Sequence, residues 1–271
     1  MSESIRLRLD VSYDGAGFSG WAAQPTRRTV AGVLTEALGR LVGPETPLGL
    51  TVAGRTDAGV HATGQVCHID LPIEDWERLS GSLLRRLAAL MPPDARVRAL
   101  RPVPDTFDAR FSATFRRYEY RVCDEQWGPE PLRRHDTLGW LRPLDLDRLN
   151  AAAAGLLGEH DFAAFCKRKE HATTIRAINR LDWRRDPDGV LVATVQADAF
   201  CQAMVRSLVG AMLFVGDGRR EPEWPGRLLT LRERSSEVTV AAAHGLTLVA
   251  VGYPDEAEYA ARAEATRRLR G

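Results

Sequence analysis

Residues 48–71, LGLTVAGRTDAGVHATGQVCHIDL, read as two strands joined by a loop. LGLTVAG (48–54) and GQVCHIDL (64–71) carry the apolar and β-branched residues of strands. Glycine and aspartate between them suit a chain reversal, glycine by reaching φ > 0 cheaply and aspartate by bonding nearby backbone. Hairpins of this kind next to helices point to an α+β fold with a largely antiparallel sheet rather than a doubly wound parallel one. The loop also packs Arg55, Asp57 and His61 closely together, which is more chemistry than a turn requires. Asp57 therefore has two readings: the Asx residue of a tight turn, or a carboxylate presented for catalysis.

Working outward, IRLRLDVSY (5–13) alternates as a strand, and TVAGVLTEALGRLV (29–42) places Val30, Val33, Leu34, Ala37, Leu38 and Leu41 on one helical face behind a Thr29 cap. DWERLSGSLLRRLAALMPP predicts one amphipathic helix from Asp75, stopped by Pro92 and Pro93. FRRYEYRVCD (115–124) is a strand with Tyr118, Tyr120 and Val122 on one face and Arg117, Glu119 and Arg121 on the other. A third helix begins near Asp145 and is lost around Gly158. TTIRAINRLDW and VLVATVQA form a hairpin across RRDPDG, and AFCQAMVRSLVGAMLFVG predicts an apolar helix containing a single charge, Arg206. GLTLVAVGY is a late strand. The Pro- and Gly-bearing stretch EQWGPEPLRRHD marks the expected boundary, giving an N-terminal half 1–125, a C-terminal half 126–254 and an exposed helical tail 255–271.

Composition narrows the class. With 44% hydrophobic and 27% charged residues the chain is an ordinary globular protein, and no apolar run is long enough to span a bilayer. MSESIRLRLD has charges where a signal peptide needs an apolar core, so a cytoplasmic protein is expected. Cys67, Cys123, Cys166 and Cys201 are far apart, without CxxC or histidine at zinc spacing, and read as reduced thiols with no metal. A net charge of +1 does not announce a nucleic-acid binder. Lysine occurs only at 167 and 169, so nearly every basic residue is arginine, whose planar fork suits phosphates and base stacking. With alanine also abundant, genomic base composition is the favoured explanation on composition alone.

Two further residues stand out. Arg206 lies in an apolar helix, where an unpaired interior charge costs several kcal/mol, so it either snorkels to an edge or meets a carboxylate such as Asp57. Tyr118 is either a core tyrosine or a ring that stacks on a planar substrate. YDGAGFSG lacks the GxGxxG spacing of a dinucleotide site, and neither a Walker A sequence nor GxSxG occurs.

AGRTDAGVHATGQV resembles the signature of the tRNA pseudouridine synthase A (TruA) family, GRTDxGVHA, which contains that family's catalytic aspartate. Further segments follow in family order: SYDGAGFSGWAAQ with TVAGVLTEAL, FDARFSATFRRYEYRV, HDFAAFCK with TTIRAI, MVRSLVG and GLTLVAVGYP. The resemblance implies that Asp57 is the catalytic aspartate and Arg206 the base paired with it. It further implies that Tyr118 packs against the target uracil and that Arg55 enters the RNA where the base leaves. It implies a cofactor-free, metal-independent isomerisation of uridine to pseudouridine in the tRNA anticodon stem-loop at positions 38–40. The partner would be tRNA bound to a homodimer, and the fold two similar α/β halves sharing a central, largely antiparallel sheet with a cleft between them. Three positions depart from the family pattern. Ala22 follows Trp21 where Gln is usual, Ser207 replaces an Asn, and Ala242 stands where proline is common. Competing functions are a non-catalytic RNA-binding module on the same fold and an N-glycoside hydrolase using the same carboxylate.

Overall fold

The computed structural model describes residues 3–167 and 173–268. They fall into two compact units, Met1–Thr114 together with Leu248–Leu269, and Phe115–Thr247. The proline-rich stretch expected to divide the chain thus lies inside the second unit. Such a stretch marks a loop, whereas the division here falls just before a strand.

In the first unit, β1 (Ser4–Tyr13) is followed by α1 (Val30–Val42), β2 (Thr51–Val52), β3 (His61–Pro72), α2 (Ile73–Leu79), α3 (Leu83–Leu90) and β4 (Ala95–Pro102). β1 is flanked by β3 and β4, both antiparallel to it, and β2 pairs with β3 through Thr51–His68 and Val52–Cys67. The hairpin read from 48–71 is therefore real but short on its first arm. α1 starts where its cap predicted, with the Thr29 hydroxyl accepting from Gly32 N–H, and it buries Val30, Leu34, Ala37 and Leu38. The single helix expected from Asp75 is instead α2 and α3, parted at Ser80–Gly81–Ser82, where glycine and two serines disfavour a continuous helix.

The second unit contains β5 (Phe115–Cys123), β6 (Leu138–Gly139), α4 (Leu146–Ala154), β7 (Gly158–Asp161), β8 (Ile175–Arg185), β9 (Leu191–Ala197), α5 (Met204–Gly216) and α6 (Trp224–Leu228). Its strands run in the order β5-β9-β8-β7, each neighbouring pair antiparallel, and β6 adds in parallel to the end of β5. The predicted hairpin is β8–β9. Asp145 caps α4 by accepting from Asp147 and Arg148 N–H. Asp124 braces the hairpin: burial pushes its carboxyl up, but hydrogen bonds from Arg185 and Leu144 N–H outweigh this and hold it below the usual carboxylate range.

β10 (Leu246–Gly252) follows, lying beside β3, and α7 (Tyr259–Arg268) ends the described chain. The tail expected to be an exposed helix is helical, but it buries Tyr259, Ala263 and Thr266. Tyr259 joins Phe107, Val66, Ala53, Val103 and Ala109 in one cluster of the first unit, its ring centroid 5.1 Å from that of Phe107. Arg267 closes the contact on Asp108 at 2.9 Å.

The reading of all four cysteines as reduced thiols needs one correction: Cys166 and Cys201 are joined in a disulfide, with Cα atoms 5.7 Å apart. Cys67 and Cys123 are buried and unbonded, and burial pushes the Cys67 thiol far up. No helix among the described residues is long and apolar enough to cross a membrane.

Candidate active site

Asp57 sits at the top of the β2–β3 hairpin, half-buried, with Arg55 exposed on the same loop. Ala53 N–H donates to Val66 O at 2.9 Å, which closes the hairpin before the loop departs. Within the loop Val60 N–H returns to Asp57 O at 3.2 Å, a turn around Asp57–Val60 with Gly59 at φ 78°. The turn reading and the site reading of Asp57 are thus compatible: its backbone makes the turn while its side chain remains available.

The segment after β1 forms the bed for this loop. Gly15 lies so close that a Cβ there would stand 2.1 Å from Val60 O, and its N–H donates to His61 Nδ1 at 2.9 Å. The Asp14 carboxylate lies against the same nitrogen, Oδ1 at 3.1 Å. Gly20, at φ 93°, would bring a Cβ within 2.8 Å of Thr56 O, and the neighbouring Trp21 N–H donates to that carbonyl at 3.1 Å. Two of the three glycines of YDGAGFSG, Gly15 and Gly20, serve a close backbone approach against the Asp57 loop, whereas Gly17 faces Arg28 and Asp94.

In the second unit β5 presents Tyr118, Tyr120 and Val122 inward, as its alternation predicts, and Arg117, Glu119 and Arg121 on the other face. Tyr118 is 8% exposed and meets Phe200 edge-to-face at 5.2 Å between centroids. Tyr120 is fully buried and donates its hydroxyl to Ala242 O at 2.7 Å. Burial pushes the Tyr120 phenol up, and the positive charge of Arg206 opposes that rise.

Arg206 lies in the first turns of α5, half-buried although the helix around it is almost wholly shut from solvent. Its Nε donates to Ala241 O at 2.7 Å, and Ala241 N–H donates back to Arg206 O at 3.0 Å. One guanidinium donor of five is spent on that carbonyl, and this bond orients the fork. Consecutive carbonyls, Ala241 and Ala242, therefore tie Arg206 to the face of β5 that carries Tyr118. The structure brings Arg55 and Asp57 together in one unit, and Arg206 with the tyrosine face in the other.

Sequence reasoning missed the polar groups beneath the loop. Tyr13 meets Thr56 Oγ1 at 2.7 Å, and Gln65 Nε2 donates to Tyr13 Oη at 3.2 Å and to Gly54 O at 2.9 Å. The burial of Gln65 that marks this network exists only in the fold, so the sequence carried no signal for it. Among the described residues no group of His, Cys, Asp and Glu could hold a metal ion.

Comparison with known proteins places these features in a family. A family profile described as tRNA pseudouridine synthase matches residues 152–254. The chain is 58% identical over 266 residues to a protein of Frankia casuarinae named tRNA pseudouridine synthase A, covering 98% of this chain and 96% of that one. A Streptomyces griseus protein of the same name is 55% identical, covering 98% and 94%, and one from Mycobacterium leprae is 49% identical, covering 100% and 97%. With half or more of its residues shared over nearly its whole length, the chain belongs to the tRNA pseudouridine synthase A family.

Proposed function

We propose that this protein is an isomerase that converts uridine to pseudouridine in tRNA, with Asp57 as its catalytic carboxylate. The near full-length likeness to relatives named tRNA pseudouridine synthase A carries the reading. The half-buried carboxylate on a tightly held loop supports the choice of residue.

The reaction breaks the glycosidic C–N bond, turns the freed uracil and rejoins it to the sugar through carbon, so the product has the mass of the substrate. It is redox-neutral and transfers nothing away, so its balance calls for no cofactor. Asp57 meets the electron-poor sugar carbon, the base or the sugar proton, a task akin to that of carboxylates in glycosidases. Arg206 is its proposed ionic partner, because an adjacent guanidinium favours the charged carboxylate. Tyr118, with Phe200 against its ring, would lie on the uracil and exclude water, since hydrolysis would leave an abasic site. The target base must be extruded from the stem-loop at a few kcal/mol, and Arg55, exposed beside Asp57, suits the vacated space.

The proposed substrate region is the anticodon stem-loop at positions 38–40, bound by a cytoplasmic homodimer. Trp127, Leu132 and Leu141 are 67%, 87% and 89% exposed within one short stretch, which supports a partner surface there. Phosphate contacts from arginines would make binding weaken steeply with salt.

The test is Asp57→Asn, incubated with unmodified tRNA and no added cofactor, with pseudouridine mapped by carbodiimide primer extension. The native protein forms pseudouridine in the anticodon arm, whereas the variant binds tRNA with unchanged affinity and forms none. Release of free uracil by the native protein would establish the hydrolase instead, and tRNA binding without any product would leave an RNA-binding module.

A further inference from the structure

We propose that Tyr13 and Gln65 are positioning residues for this reaction, acting through Thr56 to fix the loop from which the Asp57 carboxylate projects. The proposal rests on the reading of Asp57 as the catalytic group.

Three side chains distant in sequence meet beneath the loop, all shut from solvent: Gln65 is 0% exposed, Tyr13 5% and Thr56 6%. Gln65 donates to the Tyr13 oxygen at 3.2 Å, and the Tyr13 and Thr56 hydroxyls share a hydrogen bond at 2.7 Å. The same Gln65 amide donates to Gly54 O at 2.9 Å. The network therefore grips residues 54 and 56, on either side of Arg55 and immediately before Asp57. The Thr56 carbonyl, on the other side of its residue, is held by Trp21 N–H at 3.1 Å. Past Asp57, the chain is pinned again at Val60 and His61, where Gly15 makes its close approach and its hydrogen bond. Asp57 thus stands between two anchored points, and the first is a chain of side-chain hydrogen bonds.

Stability alone gives little reason for that chain. A Phe, Val and Met of matching shape would fill the same space, and replacing both partners of a buried hydrogen bond by apolar groups is often nearly neutral. A polar network does what an apolar core does poorly: it specifies direction, because each bond fixes an angle as well as a distance. Reactions that need a carboxylate at one atom are sensitive to direction, and a misplacement near 1 Å costs on the order of 100-fold in rate.

The experiment compares Tyr13→Phe, the double variant Tyr13→Phe/Thr56→Val, and Thr56→Ser, with Asp57→Asn alongside. Melting temperature, tRNA affinity and the single-turnover rate of pseudouridine formation are measured for each. The double variant is expected to melt and bind tRNA much as the native protein does, while its rate falls by about 10–100-fold. Thr56→Ser, which keeps the hydroxyl, is expected to stay within a few-fold of the native rate. A double variant with the native single-turnover rate, or Thr56→Ser as slow as the double variant, would overturn the proposal while Asp57→Asn remained inactive. Should the double variant fail to fold, Tyr13→Phe alone decides by the rate per folded molecule, unchanged against the proposal and lowered for it. A wild-type rate in Asp57→Asn would instead remove the reading of Asp57 underneath.

Discussion

In the Asp57 loop the fixed points are polar and few: the Thr56–Tyr13–Gln65 bonds, the Trp21 bond to Thr56 O, the Gly59 N–H bond to Phe18 O and the Gly15 bond to His61. In α5 they are apolar and many, since Leu208, Val209, Ala211, Met212 and Val215 are all 0% exposed around the one charged residue, Arg206. Hydrogen bonds between neutral groups contribute about 1 kcal/mol each, whereas burying one Leu or Val side chain contributes about 1.5–3 kcal/mol. The two carriers of candidate catalytic groups therefore differ in what a substitution should cost. Damage to α5 appears first as lost stability, and damage to the loop first as lost geometry.

The sharpest test on the helix side is Leu208→Ala. It removes a fully buried side chain and should cost about 2–5 kcal/mol in urea-denaturation midpoints, with pseudouridine formation per folded molecule little changed. A cost below about 1 kcal/mol would mean that apolar burial does not hold α5. On the loop side, Gly15→Ala places a methyl 2.1 Å from Val60 O, a backbone atom that can move only by shifting the loop. That variant should lose about 1–3 kcal/mol and, unlike Leu208→Ala, should lose rate beyond what its unfolded fraction explains. Equal rates per folded molecule in the two variants would break the contrast.

The same contrast governs what the sequence discloses. Local signals survive folding: Thr29 caps α1, Asp145 caps α4, and the alternation of β5 points Tyr118 inward. Failures come where a feature is non-local or weakly patterned. Gln65 finds Tyr13 across 52 positions and Tyr13 finds Thr56 across 43, so nothing near Asp57 in sequence reveals its support. Cys166 and Cys201, 35 apart, pair only because the chain returns there. β4 hides because its buried Ala95 and Val97 give way to a run dominated by exposed and half-exposed positions, and its strand state is set by pairing with β1. α7 is legible as a helix but its buried side is not, because tertiary contacts bury Tyr259, Ala263 and Thr266 in an otherwise charged helix. The helix expected from Asp75 erred for the opposite reason: the apolar period ran through Ser80–Gly81–Ser82 while the backbone did not.

A polar hold that includes an ionisable ring titrates and an apolar one does not, which sets a smaller expected effect. On β3, His68 accepts from Ala109 N–H at Nδ1, 3.0 Å away, so the proton that would charge the ring has to displace that bond. Burial, and then the positive charge of Arg6, lower the His68 pKa, while Asp108 and Asp70 pull it the other way. The unfolded chain therefore takes up this proton first. The contribution to stability is complete above the unfolded value near 6.5 and is lost as pH falls below it. Asp70, held below the usual carboxylate range by its hydrogen bond from Arg6, adds a loss of the same sign at lower pH. Denaturation midpoints of the native protein should drop from pH 7.5 to 5.5, and His68→Asn should flatten that fall. An unchanged slope in His68→Asn would assign the pH dependence elsewhere.

The smallest effect concerns the chain that receives Arg206 and Tyr120. Ala242 stands where proline is common in the family, and its backbone, at φ −56° and ψ 148°, already has the φ that proline imposes and a ψ that proline readily adopts. Among the described residues its N–H donates no hydrogen bond, and the carbonyl that accepts from Tyr120 is one a proline retains. The added constraint falls on the unfolded chain, so Ala242→Pro should raise stability by about 0.4–1 kcal/mol without altering the rate of pseudouridine formation. Proline also restricts the residue before it to extended conformations, and Ala241 is the residue whose carbonyl holds Arg206 Nε. A stabilised variant with a native rate would mean that the Ala241–Ala242 segment is already fixed by the packing around it. A destabilised or slowed one would mean that Arg206, like Asp57, depends on a backbone angle held by a few polar bonds, and the contrast between the two carriers would then fail on the helix side.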